Sequence, residues 1–146
     1  MAATLGAAWC VIHHRGTEDT EEAENRISQE IIGAAVEVHR ALGPGLLESS
    51  YQACLAHELT LRGLRWEQQR ELPLAYKGVA LRNGYRIDLL VEGRIVVEVK
   101  SVQSIEGVHR AQLLTYLKLL NRRIGLLINF NVETLVHGVR RIVNGY

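Results

Sequence analysis

Two apolar stretches that carry isolated charges lie side by side, Arg86-Ile87-Asp88-Leu89-Leu90 and Arg94-Ile95-Val96-Val97-Glu98-Val99-Lys100. Each is typical of a β-strand with both faces buried. Ionised side chains are seldom buried without a charged partner or a metal ion. Asp88, Glu98 and Lys100 therefore suggest a metal site built on two adjacent strands.

The loop between these strands determines whether the two carboxylates meet. A two-residue turn would point Asp88 and Glu98 to different faces of the sheet. A three-residue loop at residues 92–94 places them opposite each other, with a glycine available for positive φ. Only this register matches the apolar residues of the other face, in the pairs Val91–Ile95, Leu89–Val97 and Ile87–Val99. We therefore predict that Asp88 and Glu98 share one face with Arg86 and Lys100.

Length and composition indicate a single domain. The chain has 146 residues, enough to bury a core without disulfides. Cys10 and Cys54 lack a metal-ligand spacing and are expected to be reduced thiols of a cytoplasmic protein. No segment approaches the roughly 18 consecutive apolar residues of a membrane span, so no membrane association is expected.

The charge is unevenly distributed, although the formal net charge is only +1. Acidic residues outnumber basic ones in residues 1–30, and the remaining positive balance is mostly arginine. The planar guanidinium group can bind two phosphate oxygens at once. This composition is compatible with a nucleic-acid partner, but scattered solvated arginines would produce the same balance.

Apolar residues at helical spacing alternate with strand-like segments along the chain. Helices are expected at 27–42, 47–62 and 108–121, and strands at 71–76, 85–91, 95–102, 124–130 and 138–143. This order predicts an α/β domain with a mixed central sheet flanked by helices. The acidic run at 18–24 has no apolar periodicity. We expect residues 1–24 to form a disordered acidic extension of a domain at 25–146.

Two carboxylates on adjacent strands can share a hard divalent cation such as Mg²⁺ or Mn²⁺, together with waters and a substrate phosphate. The cation would lower the pKa of a bound water and neutralise charge on the phosphate. Lys100 would orient or deprotonate the attacking water, or stabilise the transition state as a point charge. The competing interpretation is a structural ion pair, in which Lys100 neutralises Asp88 or Glu98.

Several stretches resemble the PD-(D/E)xK nuclease superfamily and, within it, the GxxExxY family. They are Gly45-Leu46-Leu47-Glu48-Ser49-Ser50-Tyr51, which fits the pattern that names the family, and residues 37–45, 109–118 and 125–131. The resemblance covers roughly residue 25 to the C-terminus. It implies a restriction-endonuclease-like core of a helix, a three-stranded meander, a helix and a final strand. Ile87-Asp88 departs from the superfamily's proline–aspartate pair, and the acidic residues before Asn25 depart from the usual family start.

The resemblance also implies further site residues. Glu48, in the first turn of the second helix, would join the metal site with support from Tyr51. An acid at a helix N-terminus is also explained by the helix dipole alone. Gln112 and Tyr116 share a helix face and resemble the Q-x-x-x-Y motif of exonuclease-type members, in which the glutamine reaches the active site. An ordinary polar face is the plainer alternative.

The remaining candidates would support the site or contact the substrate. The Val99 carbonyl is a candidate metal ligand, and His109 either supports the site or simply packs. Arg86, Arg110 and Lys118 are candidate contacts to nucleic-acid phosphates, although exposed cations are usually just solvated.

Together these features predict a nuclease dependent on Mg²⁺ or Mn²⁺, with metal ligands from Glu48, Asp88, Glu98 and the Val99 carbonyl. Lys100, Gln112 and Tyr116 would complete the catalytic set. We expect hydrolysis of DNA, more than RNA, in one step without a covalent intermediate. A homodimer would let a single-site enzyme cut both strands. The alternatives are a non-catalytic nucleic-acid-binding or protein-interaction module with the same fold, and an enzyme for another phosphoester such as a nucleotide.

Overall fold

A computed structural model describes residues 2–82 and 85–145 of the protein, with side chains from Asp19 onward. The helices are α1 (Ala2–Leu42), α2 (Glu48–Leu61) and α3 (Gly107–Leu120). The strands are β1 (Trp66–Glu71), β2 (Leu74–Tyr76), β3 (Val79–Leu81), β4 (Arg86–Val91), β5 (Ile95–Lys100), β6 (Ile124–Asn129) and β7 (Val139–Val143). A short 3-10 helix, Leu135–Gly138, precedes β7.

Five strands form a mixed sheet in the order β1-β4-β5-β6-β7. The first three are an antiparallel meander, and α3 then carries the chain from β5 to β6, which run parallel. β7 returns antiparallel to β6, while β2 and β3 form a separate hairpin. The predicted α/β class, with a mixed sheet flanked by helices, is confirmed.

The β4–β5 hairpin has the predicted register next to its loop, but the third expected pair, Ile87–Val99, is not formed, because Ile87 packs on the α3 side and Val99 on the side of α1 and α2. Leu89 lies opposite Val97 and Val91 lies opposite Ile95. The loop at residues 92–94 is closed by the Arg94 N–H, which donates to the Val91 carbonyl at 3.0 Å. Glu92 and Gly93 have φ values of 54° and 63°. Positive φ at both positions gives the twist that matches two antiparallel strands, so the loop imposes this register.

The sheet separates two apolar layers. Leu89 and Val97 face α1 and α2. Leu90 and Val96 face α3. This alternation is what a strand buried on both faces requires, because successive side chains point to opposite sides. The core therefore holds the centre of β4 and β5 rigidly, and with it the strand ends that carry the charged residues.

Helix α1 begins far upstream of the predicted start. Residues 19–24 belong to it, and within them Glu21 and Glu24 contact Arg123 at 3.2 and 3.0 Å. Glu24 is only 7% exposed. The prediction of a disordered extension is therefore wrong for residues 19–24. Arg123, which is far away in the sequence but in contact here, offsets part of their negative charge. The expected disorder of residues 1–18 lies outside the described side chains.

Strand β1 is not predicted from the sequence. Its residues are almost all exposed, so no apolar alternation marks it, and backbone pairing with β4 defines it. The expected strand at 71–76 is interrupted at Pro73, which cannot donate to a sheet ladder. Leu47 lies at helical spacing from the buried Tyr51 and Leu55, but it is 74% exposed because it precedes the first turn of α2.

Tyr51→Phe should destabilise the protein through the loop before α2. Tyr51 is fully buried, and its hydroxyl donates to the Gly43 carbonyl at 2.5 Å and accepts from the Leu46 N–H at 3.1 Å. Loss of these bonds should lower the free energy of unfolding in urea by about 1–3 kcal/mol. Tyr76→Phe, on a 63% exposed side chain, should change it by less than about 0.5 kcal/mol. Equal losses in the two variants would contradict this account.

Candidate active site

Asp88 and Glu98 lie where the β4–β5 ladder ends. Backbone pairing runs from Val91–Ile95 to Leu89–Val97 and is not continued at the next pair. There the Asp88 N–H donates to Glu98 Oε1 at 3.1 Å. In return, the Val99 N–H donates to Asp88 Oδ2 at 2.8 Å. Each carboxylate therefore replaces a backbone carbonyl of its own strand as the acceptor for an N–H of the opposite strand. The two acids thus lie together between the strands.

Burial of this pair perturbs its protonation. Glu98 is only 5% exposed, and burial together with the neighbouring charge of Asp88 raises the pKa of Glu98 to about 8. Burial also raises the pKa of Asp88, while the Val99 N–H and the Lys100 charge oppose the rise. Two carboxyl groups this close cannot both ionise readily, so at neutral pH the pair retains a proton. A bound cation would stabilise the state in which both carboxylates are ionised.

Lys100 provides one positive charge near both acids. It is half-buried at the end of β5, and its charge lowers the pKa of both Asp88 and Glu98. Its backbone carbonyl accepts the Phe130 N–H at 2.9 Å, which fixes the strand end against the residues after β6. The raised pKa values persist despite this charge, so one ammonium does not fully neutralise the pair.

Glu48 lies in the first turn of α2, as expected, and its charge raises the pKa of Asp88. Its Oε2 atom accepts the Ser101 N–H at 3.1 Å. Among the described side chains, no three His, Cys, Asp or Glu residues lie close enough together to hold one metal ion. The structure therefore brings Asp88 and Glu98 into contact and holds Glu48 nearby, against the residue after β5.

Ser101 and Asn129, which were not predicted as site residues, fix the end of β5. Ser101 Oγ donates to the Leu46 carbonyl at 2.7 Å, so the loop before α2 is bonded to the residue after Lys100. Asn129 is 2% exposed and bonds both the N–H and the carbonyl of Val102, at 3.0 and 2.9 Å. A buried amide at the end of the apolar strand β6 was the signal that could have identified it.

Gln112 and Tyr116 lie on α3, above the carboxylate pair. Tyr116 is 7% exposed, and burial raises the pKa of its hydroxyl. The charges of Glu98 and Asp88 raise this pKa further, whereas a hydrogen bond from Gln112 lowers it. The Tyr116 hydroxyl is therefore within electrostatic range of both acids, with Gln112 as its partner.

The remaining predicted residues lie around this centre. Tyr51 stacks on Phe130 with ring centroids 4.4 Å apart, and its hydroxyl bonds the loop before Glu48 rather than Glu48 itself. His109 Nδ1 accepts the Glu106 N–H at 3.0 Å, so His109 caps α3. The Val99 side chain is buried in the core.

The candidate phosphate contacts are exposed. Arg86 lies 3.6 Å from Glu71, in an ion pair that is open to solvent. Arg110 and Lys118 are exposed on α3, with no ion pair to another described residue. Both side chains are accessible to a polyanion. Neither forms an ion pair with Asp88 or Glu98.

Gln52, also not predicted, contacts the main chain of the site. Its Nε2 atom donates to the Asp88 carbonyl at 3.2 Å, and its Oε1 atom accepts from Gln69 Nε2 at 3.4 Å. Gln52 lies one helical turn after Glu48. The sequence gave no signal for this role, because a polar residue beside the buried stripe of an amphipathic helix is common.

Comparison with known proteins gives one match. A family model described as the PD-(D/E)XK nuclease superfamily matches residues 25–142. No curated protein and no solved structure matches the chain significantly. None of the described helices is long and apolar enough to cross a membrane. The GxxExxY assignment stays a prediction, whereas the superfamily match spans most of the sequence. The chain therefore belongs to the PD-(D/E)XK nuclease superfamily.

Proposed function

We propose that this protein is a divalent-cation-dependent nuclease that hydrolyses DNA at the Asp88–Glu98 pair. The proposal is carried by two carboxylates, Glu98 buried and Asp88 half-buried, that accept hydrogen bonds from each other's strand and keep raised pKa values beside Lys100. In a purely structural ion pair, the ammonium would be expected to hold the carboxyl pKa values low. The raised values instead favour a site that becomes fully charged when a cation binds.

The donor set suits Mg²⁺ or Mn²⁺. Both prefer carboxylate, carbonyl and water oxygens, and Mg²⁺ is usually held by one or two carboxylates plus waters and substrate phosphate. Asp88 and Glu98 would hold the cation, with the Val99 carbonyl as a further ligand. Glu48 would join them if its carboxylate left the Ser101 N–H. When bound, the cation would lower the pKa of a water and offset phosphate charge.

The chain's own residues would do the rest. Lys100, close to both acids, would orient the attacking water or stabilise negative charge developing on the phosphate. Tyr116 would donate a hydrogen bond toward the reacting phosphate through its hydroxyl, which lies within electrostatic range of both acids. Gln112 would fix the orientation of that hydroxyl. No nucleophilic side chain is needed, so hydrolysis would proceed in one step.

The surface near the start of β4 supports a nucleic-acid substrate. A cavity of about 660 Å³ there is lined by Arg82, Tyr85 and Arg86, with apolar walls that include Leu74 and Leu81. Arg86 precedes Asp88 by two residues on the same strand. Guanidinium groups bind phosphate oxygens and a tyrosine ring can stack on a base, so a polynucleotide strand would fit both features. We favour DNA over RNA, and a homodimer for cutting both strands.

Lys100→Ala should abolish most of the activity without unfolding the protein. Labelled linear duplex, circular duplex, single-stranded DNA and RNA are incubated with Mg²⁺, Mn²⁺ or EDTA. Cleavage should require the cation and fall by at least about 100-fold in the variant, because a positive charge at the reacting phosphate is lost. Arg65→Ala removes an exposed cation that pairs with Glu92 at the opposite end of β4 and β5, and it should retain the rate within a few-fold.

Other outcomes of this assay separate the alternatives. Binding without cleavage of any polymer, unchanged by Asp88→Ala, would identify a non-catalytic module. Turnover of nucleotides without salt-sensitive polymer binding would identify a different phosphoesterase. Sparing of circular duplex would indicate an exonuclease.

Cation binding should strengthen as the pH rises to about 8. Burial and the Asp88 charge raise the pKa of Glu98 to about 8, so the free site holds a proton that the cation must displace. Below this pH, each unit of acidification should weaken Mn²⁺ binding by about tenfold, and above it the affinity should level off. Calorimetric titration from about pH 6 to about pH 9, which spans the raised pKa of Glu98, measures this. Glu98→Gln should flatten the dependence, and a flat profile in the native protein would refute the assignment.

Arg86→Ala should weaken DNA binding mainly through the phosphates. Measured in EDTA to prevent cleavage, the slope of log affinity against log salt should become shallower by about one. Loss of the exposed Arg86–Glu71 pair should change stability little. Arg94→Ala, at the opposite end of β4 and β5, is the matched control and should leave the slope unchanged. Equal effects of the two variants would place the DNA elsewhere.

A further inference from the structure

The main chain at Asp88 is left out of the sheet ladders on both sides. On β1, Gln68 pairs with Leu89 and Arg70 pairs with Ile87, whereas Gln69 and Asp88 between them form no pair. Gln69 has a φ of 54°, which is unusual for a residue with a side chain. On β5, pairing stops at Leu89. The peptide of Asp88 is therefore rotated out of the regular strand.

The directions of the side chains along β4 show the same irregularity. Leu89 and Val91 face α1 and α2, and strict alternation would send Ile87 to the same side. Ile87 instead packs with Leu90 on the α3 side. The alternation thus shifts by one residue across Asp88. A strand that paired normally here would point the Asp88 carboxylate out of the sheet and away from the Val99 N–H.

Gln52 binds the backbone group that this rotation frees. Its Nε2 donates to the Asp88 carbonyl at 3.2 Å. Its Oε1 accepts from Gln69 Nε2 at 3.4 Å, so one amide links the two residues that are missing from the β1–β4 ladder. The amide orientation follows from its partners, because a carbonyl requires a donor. Gln52 is half-buried, and its bond to the Asp88 carbonyl is partly shielded from water, whereas its bond to Gln69 is exposed.

We infer that Gln52 is a positioning residue: by holding the Asp88 carbonyl out of the ladder, it keeps the Asp88 carboxylate beside Glu98. Without this donor, the Asp88 peptide is free to rejoin the strand, and the carboxylate then leaves the Val99 N–H. The consequence for cation binding and catalysis rests on the proposed function, while the geometric role does not. Glu48 and Gln52 lie one turn apart on α2, so the same helix presents an acid to the site and orients another.

The test compares Gln52→Leu with Gln68→Leu. Gln68 is exposed on β1 and makes no hydrogen bond through its side chain to another described residue, so it controls for removing a glutamine. The first readout is the Val99 amide in the cation-free protein, followed by NMR and hydrogen exchange. In Gln52→Leu its proton should shift upfield and exchange faster, because the Asp88 carboxylate no longer accepts it. In Gln68→Leu it should not change.

The second readout is Mn²⁺ affinity, which should fall by about 10- to 100-fold in Gln52→Leu and stay constant in Gln68→Leu. Gln52→Glu, which keeps the size but replaces the donor with an acceptor, should behave like Gln52→Leu and serves if the leucine variant does not fold. An unchanged Val99 amide in either folded Gln52 variant overturns the inference. If the native protein binds no Mn²⁺, the proposed function is overturned instead. The Val99 amide still tests the role of Gln52 in that case, because it is measured in the cation-free protein.

Discussion

The structure depends on an exchange of hydrogen bonds between two strands. At the end of the β4–β5 ladder, Asp88 and Glu98 each accept a backbone N–H from the opposite strand. A sheet normally excludes ionisable groups from its interior, because a buried carboxylate without partners is costly. Here the backbone pairing of β4 with β5 stops, and the two carboxylates replace carbonyls as hydrogen-bond acceptors. The N–H groups of Asp88 and Val99, which would otherwise lose their partners, are bonded in this way. The sheet thus holds charge at a fixed place, and the interruption of its backbone pairing is confined to the stretch around Asp88.

The elements around this opening limit how far it extends. Asn129 and the Phe130 N–H fix the chain beyond β5, and Ser101 bonds that chain to the loop before α2. On the α3 side, the Tyr116 hydroxyl lies within electrostatic range of both acids. The two acids therefore lie among hydrogen-bonded polar groups at the edge of the apolar core, with Glu98 buried and Asp88 half-buried. Close packing of that core gives the pair its low-dielectric surroundings, which explains its raised pKa values.

The sequence predicted the parts of the fold that depend on local patterns. The β4–β5 register followed from the apolar pairs and a glycine loop, and α3 followed from the spacing of Leu113, Leu117 and Leu120. β1 could not be predicted in this way, because an exposed edge strand has no apolar alternation and exists only by pairing with β4. The same limit applies to the site: Asp88, Glu98 and Lys100 stand out as charges in apolar runs. Gln52 does not, since its role depends on a contact 36 residues away.

The ion pairs of Arg123 bear on where this domain begins. The superfamily match starts at residue 25, yet Glu21 and Glu24 lie on the same unbroken helix and contact Arg123 just before β6. A fragment trimmed to the family boundary would discard both carboxylates and the turn of helix that covers this corner of the sheet. The acidic residues 19–24 thus contribute contacts to the fold, and a version of the protein that keeps both ion pairs of Arg123 has to begin upstream of Glu21.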